Sequence, residues 1–372
     1  MNISHYRYRV KRLLWTAGSI GPNARLIESL RLWWRRALTR VTLKLDSLPA
    51  RLRFVVWRVQ MQYRTLGRTG YAVSLVGLGT GGPSQLGQTT GKTAAESYRV
   101  VHAALDLGIN ILDTSPAYRS SEELLGQALQ GVPRDRYLLA SKFNPGLVPP
   151  DSGPEALMSQ LEQSLLLLQV DHIEVLQYHG IAPEDYRTIV DRYHPVALRA
   201  QEQGKIGHIG ITETMGSDTH HVMLERALEE DLFDTFMVHY GVLNQGAEDR
   251  VFPMAQERQV GVFVMGPVRM SLRTPEEAVS RIGHFVQQGW LDRTDPDPSD
   301  PLGMAAVGAP TADVTRVAYR FAAAHPAVST MLVGTGNPDH LRRNVEDVLS
   351  GALTEAEMAY LRRTYGGLRW HQ

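Results

Sequence analysis

A closed (β/α)8 barrel (TIM barrel), an α/β fold, is the architecture that this sequence predicts, and two observations support it. From Tyr63 onward, short apolar or β-branched runs alternate with longer segments of helical periodicity, as in repeated βα units with a parallel sheet. Eight such units follow one another, and eight in succession favour a closed barrel over an open doubly wound sheet. The 372 residues are enough for one barrel and an appendage.

The predicted strands and helices alternate along the barrel segment. The strands are predicted at residues 73–79, 109–113, 137–142, 173–179, 206–212, 235–240, 261–265 and 330–333. The helices are predicted at residues 93–107, 121–130, 154–169, 183–203, 218–230, 247–259, 311–324 and 338–349. Gly108 and Gly204 stand just past predicted helix ends, and Asn337 with Pro338 opens the last helix, which supports this division.

Two further segments interrupt the alternation. Residues 63–74 hold a glycine-bounded turn at 67–70 and predict a β-hairpin that plugs the bottom of the barrel. Residues 266–310 lie between the seventh strand and its helix, and they hold one helical stretch at 275–289. Because long loops at the carboxyl ends of barrel strands usually contribute to the functional site, we expect this loop to do so.

The first 60 residues differ in charge from the rest of the chain. They carry 13 Lys and Arg against two acidic residues, a net charge of +11, whereas the whole chain is neutral. We therefore predict a basic Arg/Trp-rich extension at 1–60, outside the core, and a barrel at 61–372. The segment 30–40, with Trp33 and Trp34 among arginines, could form a basic amphipathic helix on an anionic membrane or nucleic acid. We favour the alternative of a poorly ordered extension, since Met61 opens a segment that looks like the start of a domain.

Composition restricts the chemistry and the partners. The chain has no cysteine, which excludes disulfides, thiolate catalysis and cysteine-ligated metals and suits a reducing cytoplasm. No apolar run is long enough to predict a spanning helix. His220 and His221 are adjacent and have no partners at metal-ligand spacing, so no metal is predicted. We expect a cytoplasmic protein without a nucleic-acid partner, in which redox chemistry needs a bound cofactor.

Four polar residues are candidates for catalysis because reactive groups of a βα barrel collect at the carboxyl ends of its strands. Asp113, Lys142 and His179 end the second, third and fourth predicted strands, and Tyr118 lies in the loop five residues past Asp113. Each alone has a structural explanation as a turn cap, a strand-end charge, a core histidine or a packing ring. At corresponding strand ends, the four together favour a catalytic site.

The chemistry of this group suits proton transfer at a carbonyl oxygen. Tyrosine has a reference pKa of about 10, and an ammonium close to its hydroxyl lowers that pKa. Lys142 can supply the ammonium, Asp113 can keep a buried lysine charged, and His179 can hold the substrate oxygen. Such a site can donate a proton to a carbonyl oxygen while a hydride reaches the carbon, or catalyse the reverse reaction.

Several stretches resemble the aldo-keto reductase family, over nearly all of residues 61–350. They are VGLGTGG (76–82), NILDTSPAYRSSEELLGQAL (110–129), ASKF (140–143), VDHIEVLQYHG (170–180), GKIGHIGIT (204–212) and LVGTGNPDHLRRNV (332–345). The resemblance implies an NAD(P)H-dependent oxidoreductase in which Tyr118 is the general acid, Lys142 and Asp113 tune it, and His179 orients the substrate carbonyl. DTSPAY with LGTGG looks somewhat closer to members that oxidise aldoses such as galactose than to the aldose-reductase branch.

The same resemblance implies a nicotinamide cofactor across the barrel mouth, without a Rossmann domain. The candidate cofactor-binding residues are Gly79, Thr80, Thr212, Glu213, Met237, Met265, Gly334, Thr335, Asn337, His340, Arg343 and Asn344. NADP(H) is the expected cofactor by family habit, with NAD(H) as the alternative. The letters G-x-G-x-x-G at 77–82 do not indicate a Rossmann turn, because no helix begins within them.

The candidate cofactor residues depart from the family pattern at several positions. Thr212 and Glu213 replace a Ser-Asn pair, Met237 replaces a glutamine, and Met265 replaces an aromatic residue that stacks on the nicotinamide. Gly334 and His340 replace the Lys and Arg that hold a 2′-phosphate, with Arg342 or Arg343 as possible substitutes. Arg119 stands where glycine commonly follows the catalytic tyrosine.

Two functions follow from these observations. The first is a reductase or dehydrogenase that acts on a small-molecule aldehyde, ketone or aldose, with Tyr118 as general acid or base. The second is a cofactor-binding barrel that acts as a regulatory or scaffold subunit, suggested by the altered nicotinamide contacts and the basic extension.

Overall fold

The computed structural model describes residues 60–149, 151–214, 216–292 and 296–370. These residues belong to one compact unit, Val59–Gln372. The expectations for residues 1–60 lie outside the described residues except at Gln60 and stay predictions.

The described chain opens with the predicted hairpin. Strands β1 (Tyr63–Thr65) and β2 (Ala72–Ser74) pair antiparallel. Between them the fully buried Leu66 packs with Val73 against side chains inside the barrel, which makes the hairpin a plug as predicted. Gly261 provides the room, because a Cβ at that position would lie 2.8 Å from the Leu66 side chain.

Eight parallel strands form the barrel, and the last of them pairs with the first. They are β3 (Val76–Gly79), β4 (Ile111–Asp113), β5 (Leu138–Phe143), β6 (Ile173–Ile181), β7 (Ile206–Glu213), β8 (Thr235–His239), β9 (Gly261–Met265) and β10 (Thr330–Val333). The (β/α)8 prediction is confirmed. One boundary was wrong, because the strand predicted at 73–79 is divided between the hairpin and the barrel at Leu75.

Helices surround the barrel in the predicted order. They are α1 (Ala94–Asp106), α2 (Ser121–Ala128), α3 (Ala156–Leu168), α4 (His194–Glu202), α5 (Val222–Glu230), α6 (Val251–Glu257), α7 (Pro275–Gln287), α8 (Val314–Ala324), α9 (Pro338–Leu349) and α10 (Glu355–Tyr365). Before α4, Tyr186–Thr188 is a short α-helical turn and Ile189–Tyr193 is π-helical, so the helix predicted at 183–203 is irregular in its first half. Among the described residues no helix is long and apolar enough to cross a membrane.

Helix α10 was not predicted, and it fastens the long loop after β9. It begins with a capping box between Thr354 and Glu357 and buries Tyr360 and Tyr365. The hydroxyls of these two tyrosines donate to the carbonyl oxygen of Leu302 at 3.1 and 2.9 Å. The 266–310 loop is therefore held to helix α10 in its C-terminal part, at Leu302.

Candidate active site

Asp113 and Lys142 form a buried ion pair at the carboxyl ends of β4 and β5. The Lys142 Nζ lies 2.7 Å from each carboxylate oxygen and donates to the carbonyl of Thr114 at 2.8 Å. Gln177 of β6 donates its side-chain amide to Asp113 at 3.2 Å. Burial alone would lower the pKa of Lys142, but the charges of and hydrogen bonds with Asp113 and Tyr118 together outweigh burial and raise that pKa. Lys142 is therefore held in place as a cation.

Tyr118 lies in the loop after β4, beside this ammonium. The Lys142 Nζ is 5.1 Å from the centre of the Tyr118 ring. The loop is held by a hydrogen bond from the Tyr118 N–H to the carbonyl of Ser115 at 3.0 Å. Burial raises the pKa of Tyr118, and the charge of Lys142 opposes this rise without reversing it. The phenol therefore keeps its proton at neutral pH, whereas the sequence suggested a lowered pKa.

Two backbone features bring the Tyr118 ring to this place. A Cβ on Gly81 would lie 2.5 Å from Cε2 and from Cζ of the ring, so the close approach requires glycine. Arg119 has a φ of 52°, in the left-handed region that favours glycine. This conformation explains why glycine is the ordinary residue after the tyrosine.

His179, near the end of β6, reaches the same point. Its Nε2 lies 3.3 Å from the Tyr118 hydroxyl, with the two rings edge to face. Its Nδ1 lies 3.1 Å from the Ser115 hydroxyl and 3.4 Å from the Asn144 amide nitrogen. Burial, with the charge of Lys142, lowers the pKa of His179 to about 3, so the imidazole is neutral.

The structure thus brings together all four side chains that the sequence singled out. It also adds contacts that strand-end position could not reveal, namely those of Ser115, Asn144 and Gln177. No group of three or more His, Asp or Glu side chains within the described ranges is arranged to hold a metal ion.

Eight of the twelve candidate cofactor residues lie at the ends of β3 and β10 or in helix α9. Gly79 ends β3, and Thr80 after it is fully buried, with an Oγ1 that has no hydrogen-bond partner among the described residues. Thr335 accepts from the Asn337 N–H at 3.1 Å, and Asn337 caps α9. Three residues, Gly334, His340 and Arg343, are exposed, and Asn344 is half-buried.

The other four candidates lie at the ends of β7 and β9 and in the middle of β8. Thr212 accepts from the Gly180 N–H at 2.7 Å, and Met265 is half-buried. The Glu213 side chain is fully buried, and its carboxylate accepts from the His239 N–H at 2.5 Å and lies 2.7 Å from the Nδ1 of His221.

Met237 is also buried, inside the barrel with Leu66 and Phe263. The Glu213 carboxylate and the Met237 side chain therefore have their contacts within the protein. Their role as cofactor contacts stays a prediction.

Comparison with known proteins identifies the family. Residues 76–365 match the Aldo/keto reductase family. The chain belongs to the aldo-keto reductase family. L-galactose dehydrogenase of Arabidopsis thaliana is 30% identical over 312 residues, which cover 80% of this chain and 90% of the plant enzyme. The NADH-specific methylglyoxal reductase of Escherichia coli is 26% identical over 231 residues, 56% of this chain and 68% of that enzyme.

Solved structures agree with this assignment. An aldo-keto reductase from Klebsiella pneumoniae, solved in complex with NADPH, has a TM-score of 0.60 at 23% identity and covers 84% of this chain and 99% of its own. That likeness shows the fold. The resemblance drawn from the sequence motifs is confirmed, and this aldo-keto reductase is an NAD(P)-dependent oxidoreductase.

Proposed function

We propose that this aldo-keto reductase transfers a hydride between NADP(H) and the carbonyl or alcohol carbon of a small aldehyde, ketone or aldose, with Tyr118 as general acid and base. One observation carries the proposal. The Tyr118 hydroxyl lies 3.3 Å from the neutral His179 imidazole and beside the buried ammonium of Lys142. A donor of protons, a neutral hydrogen-bonding group and a fixed cation thus converge at the barrel mouth.

Residues at the ends of β3 and β10 fit a nicotinamide dinucleotide. The buried Oγ1 of Thr80 lacks a partner among the described residues and can bond a polar group of the cofactor. The start of α9 offers backbone N–H groups for a phosphate. Close packing there needs glycine, because a Cβ on Gly336 would lie 2.4 Å from the Cα of Gly87. The bound nicotinamide supplies or accepts the hydride.

The choice between NADP(H) and NAD(H) depends on the cations of α9. Arg342 forms an ion pair with Asp339 at 2.6 Å, so Arg343 is the residue that we propose for a 2′-phosphate. NAD(H) is the alternative, because Asp339 in the first turn of α9 disfavours a second negative charge there.

Each residue has a definite part in the proton transfer. During reduction, the Tyr118 phenol donates its proton to the carbonyl oxygen, which His179 holds. Lys142 then stabilises the phenolate, and Asp113 keeps Lys142 charged and in place. Because burial raises the pKa of Tyr118 while Lys142 opposes the rise, the phenol arrives protonated and the phenolate is still accessible. Oxidation of an alcohol uses the same groups in reverse.

The names of two relatives support the proposed substrate class. The plant relative is named for L-galactose and the bacterial one for methylglyoxal, so a small aldose or aldehyde is the proposed substrate. We favour an aldose, because the plant relative matches over 90% of its length and DTSPAY points to the same branch.

Tyr118→Phe tests the proposal in the full chain. We expect turnover to fall by about 10²- to 10⁴-fold, as for loss of a general acid, with NADPH affinity unchanged in a fluorescence titration. Tyr63→Phe is the matched control, since it removes a phenol hydroxyl in strand β1 of the hairpin. Unchanged turnover in Tyr118→Phe would contradict the mechanism. Failure of the wild-type chain to bind NADPH or NADH would favour the scaffold alternative.

A further inference from the structure

Asn144, in the loop after β5, contacts His179 through its side-chain amide, and the hydrogen bonds show which amide atom faces the histidine. Its Nδ2 lies 3.4 Å from the Nδ1 of His179, and its Oδ1 accepts from the Gly146 N–H at 2.9 Å. Because the backbone N–H can only donate, the Asn144 oxygen must face Gly146 and the nitrogen must face His179. An amide nitrogen donates and does not accept, so the Nδ1 of His179 is an acceptor here.

Ser115 presents a second donor to the same ring atom. Its Oγ accepts from the Ala117 N–H at 3.1 Å and lies 3.1 Å from the Nδ1 of His179. The backbone bond occupies a lone pair of the hydroxyl and leaves its proton available for the ring. Both contacts therefore favour a His179 ring that carries no proton on Nδ1.

The remaining ring proton is then on Nε2. A neutral imidazole has one N–H, and burial together with Lys142 keeps His179 neutral. The Nε2 is the atom that lies 3.3 Å from the Tyr118 hydroxyl, where a substrate carbonyl oxygen would bind. An Nε2–H attracts that oxygen, whereas the opposite tautomer would present a lone pair to it.

We propose that Asn144 and Ser115 are positioning residues that hold His179 in its Nε2–H tautomer, so that the histidine donates a hydrogen bond to the substrate oxygen beside Tyr118. The inference rests on the proposed function for its purpose, but the tautomer is a property of the protein alone.

The loop that carries Asn144 is anchored for such a task. The Asn144 N–H donates to the side-chain oxygen of Gln160 on α3 at 2.7 Å. Asn144 is therefore held at both its backbone and its side chain, which lowers the conformational entropy that would be lost on binding substrate. Asn144 follows β5 and His179 lies in β6, so the contact joins two strands. The position of either residue in the sequence therefore does not predict it.

Nitrogen-15 NMR of the histidine side chains measures the tautomer directly. In full-length protein labelled at histidine, His179 is identified among the 13 histidines as the signal that His179→Gln removes. We expect the wild-type signal to show the Nε2–H pattern. Asn144→Asp replaces the donor by an acceptor, and we expect it to shift His179 to the Nδ1–H form or to protonate it.

Turnover gives a second readout. Loss of one preorganised donor at the substrate oxygen should lower kcat of Asn144→Asp by about 100-fold, with little change in NADPH affinity. Gln163→Glu is the matched control, because it adds the same charge at an exposed position of α3, and it should keep the Nε2–H pattern and the wild-type kcat.

Two results would overturn the inference. One is an Nδ1–H pattern in the wild-type protein, and the other is an unchanged Nε2–H pattern in the double variant Ser115→Ala/Asn144→Asp. The wild-type spectrum alone is decisive if a variant fails to fold. Because the tautomer is read without substrate, this failure is distinct from failure of the proposed function, which Tyr118→Phe reports.

Discussion

Replacing Gly81 by alanine should displace the catalytic ring without straining the backbone. A Cβ on Gly81 would lie 2.5 Å from Cε2 and Cζ of Tyr118 and 2.9 Å from Cε1. Ordinary carbon contacts are about 3.5 Å, so the ring has to move by roughly 1 Å. The backbone of Gly81 lies outside the left-handed region, and alanine can adopt its conformation. The substitution therefore acts on the position of the phenol.

The size of the effect follows from this displacement. A misplacement of about 1 Å costs on the order of 100-fold in rate, or about 2.7 kcal/mol in the activation barrier. We expect kcat to fall by that factor in a steady-state assay with NADPH and an aldehyde or aldose. Gly283→Ala is the control, because a Cβ at that position meets only Pro296 at 4.0 Å.

One result would refute this reasoning. If Gly81→Ala kept the wild-type kcat while Tyr118→Phe was inactive, the reaction would tolerate a displaced phenol. The 3.3 Å approach of Tyr118 to His179 would then have no bearing on turnover.

Further substitutions test the electrostatics of the fold and the site. Lys142→Met should lower the free energy of unfolding in urea by about 3–5 kcal/mol, because it leaves the buried Asp113 unpaired, and adding Asp113→Asn should recover most of the loss. Burial alone would raise the pKa of Asp234, but its bond with His208 and a neighbouring arginine lower it. The ionised Asp234 therefore stabilises the fold at pH values above the unfolded pKa of about 3.9. As the pH falls below that value, the difference in free energy of unfolding between the wild type and Asp234→Asn should become smaller. The pKa of His179 is about 3, so the imidazole does not titrate between about pH 5 and 9. The pH profile of kcat for His179→Asn should therefore have the same shape as that of the wild type in this range, and the loss of an inflection would contradict the neutral imidazole.

The order of the barrel could be predicted because each element has a local signal. The predicted bounds 261–265, 330–333 and 338–349 agree with β9, β10 and α9, where glycine, β-branched residues or Asn337-Pro338 mark the ends. Helix α10 was overlooked although Thr354 and Glu357 form a capping box that is visible in the sequence. The division at Leu75 has no such signal, because no glycine or proline separates Val73 and Ser74 from Leu75 and Val76.

The catalytic candidates could be predicted for a different reason. In a parallel barrel the ends of neighbouring strands meet, so residues that are distant in sequence converge when they occupy corresponding ends. Asp113 and Lys142 follow this rule and form their ion pair. The rule gives a position along the strand, but it does not give the direction of a side chain or the path of a loop. Asn144 therefore escaped prediction, since its amide is aimed by the Gly146 N–H.

Glu213 shows what this limit means for function. It ends β7 where an asparagine is usual, and the replacement suggested that nicotinamide contacts had been lost. A carboxylate facing the barrel mouth would indeed have placed a charge beside the cofactor. The Glu213 carboxylate instead bonds the His239 N–H and lies against His221, and Met237 is equally enclosed. The Glu213 carboxylate is therefore satisfied within the protein and is not an unpaired charge at the end of β7. The altered contacts are then a loss of polar partners for the nicotinamide rather than an added repulsion, and the NADPH titration of the full chain measures what that loss costs.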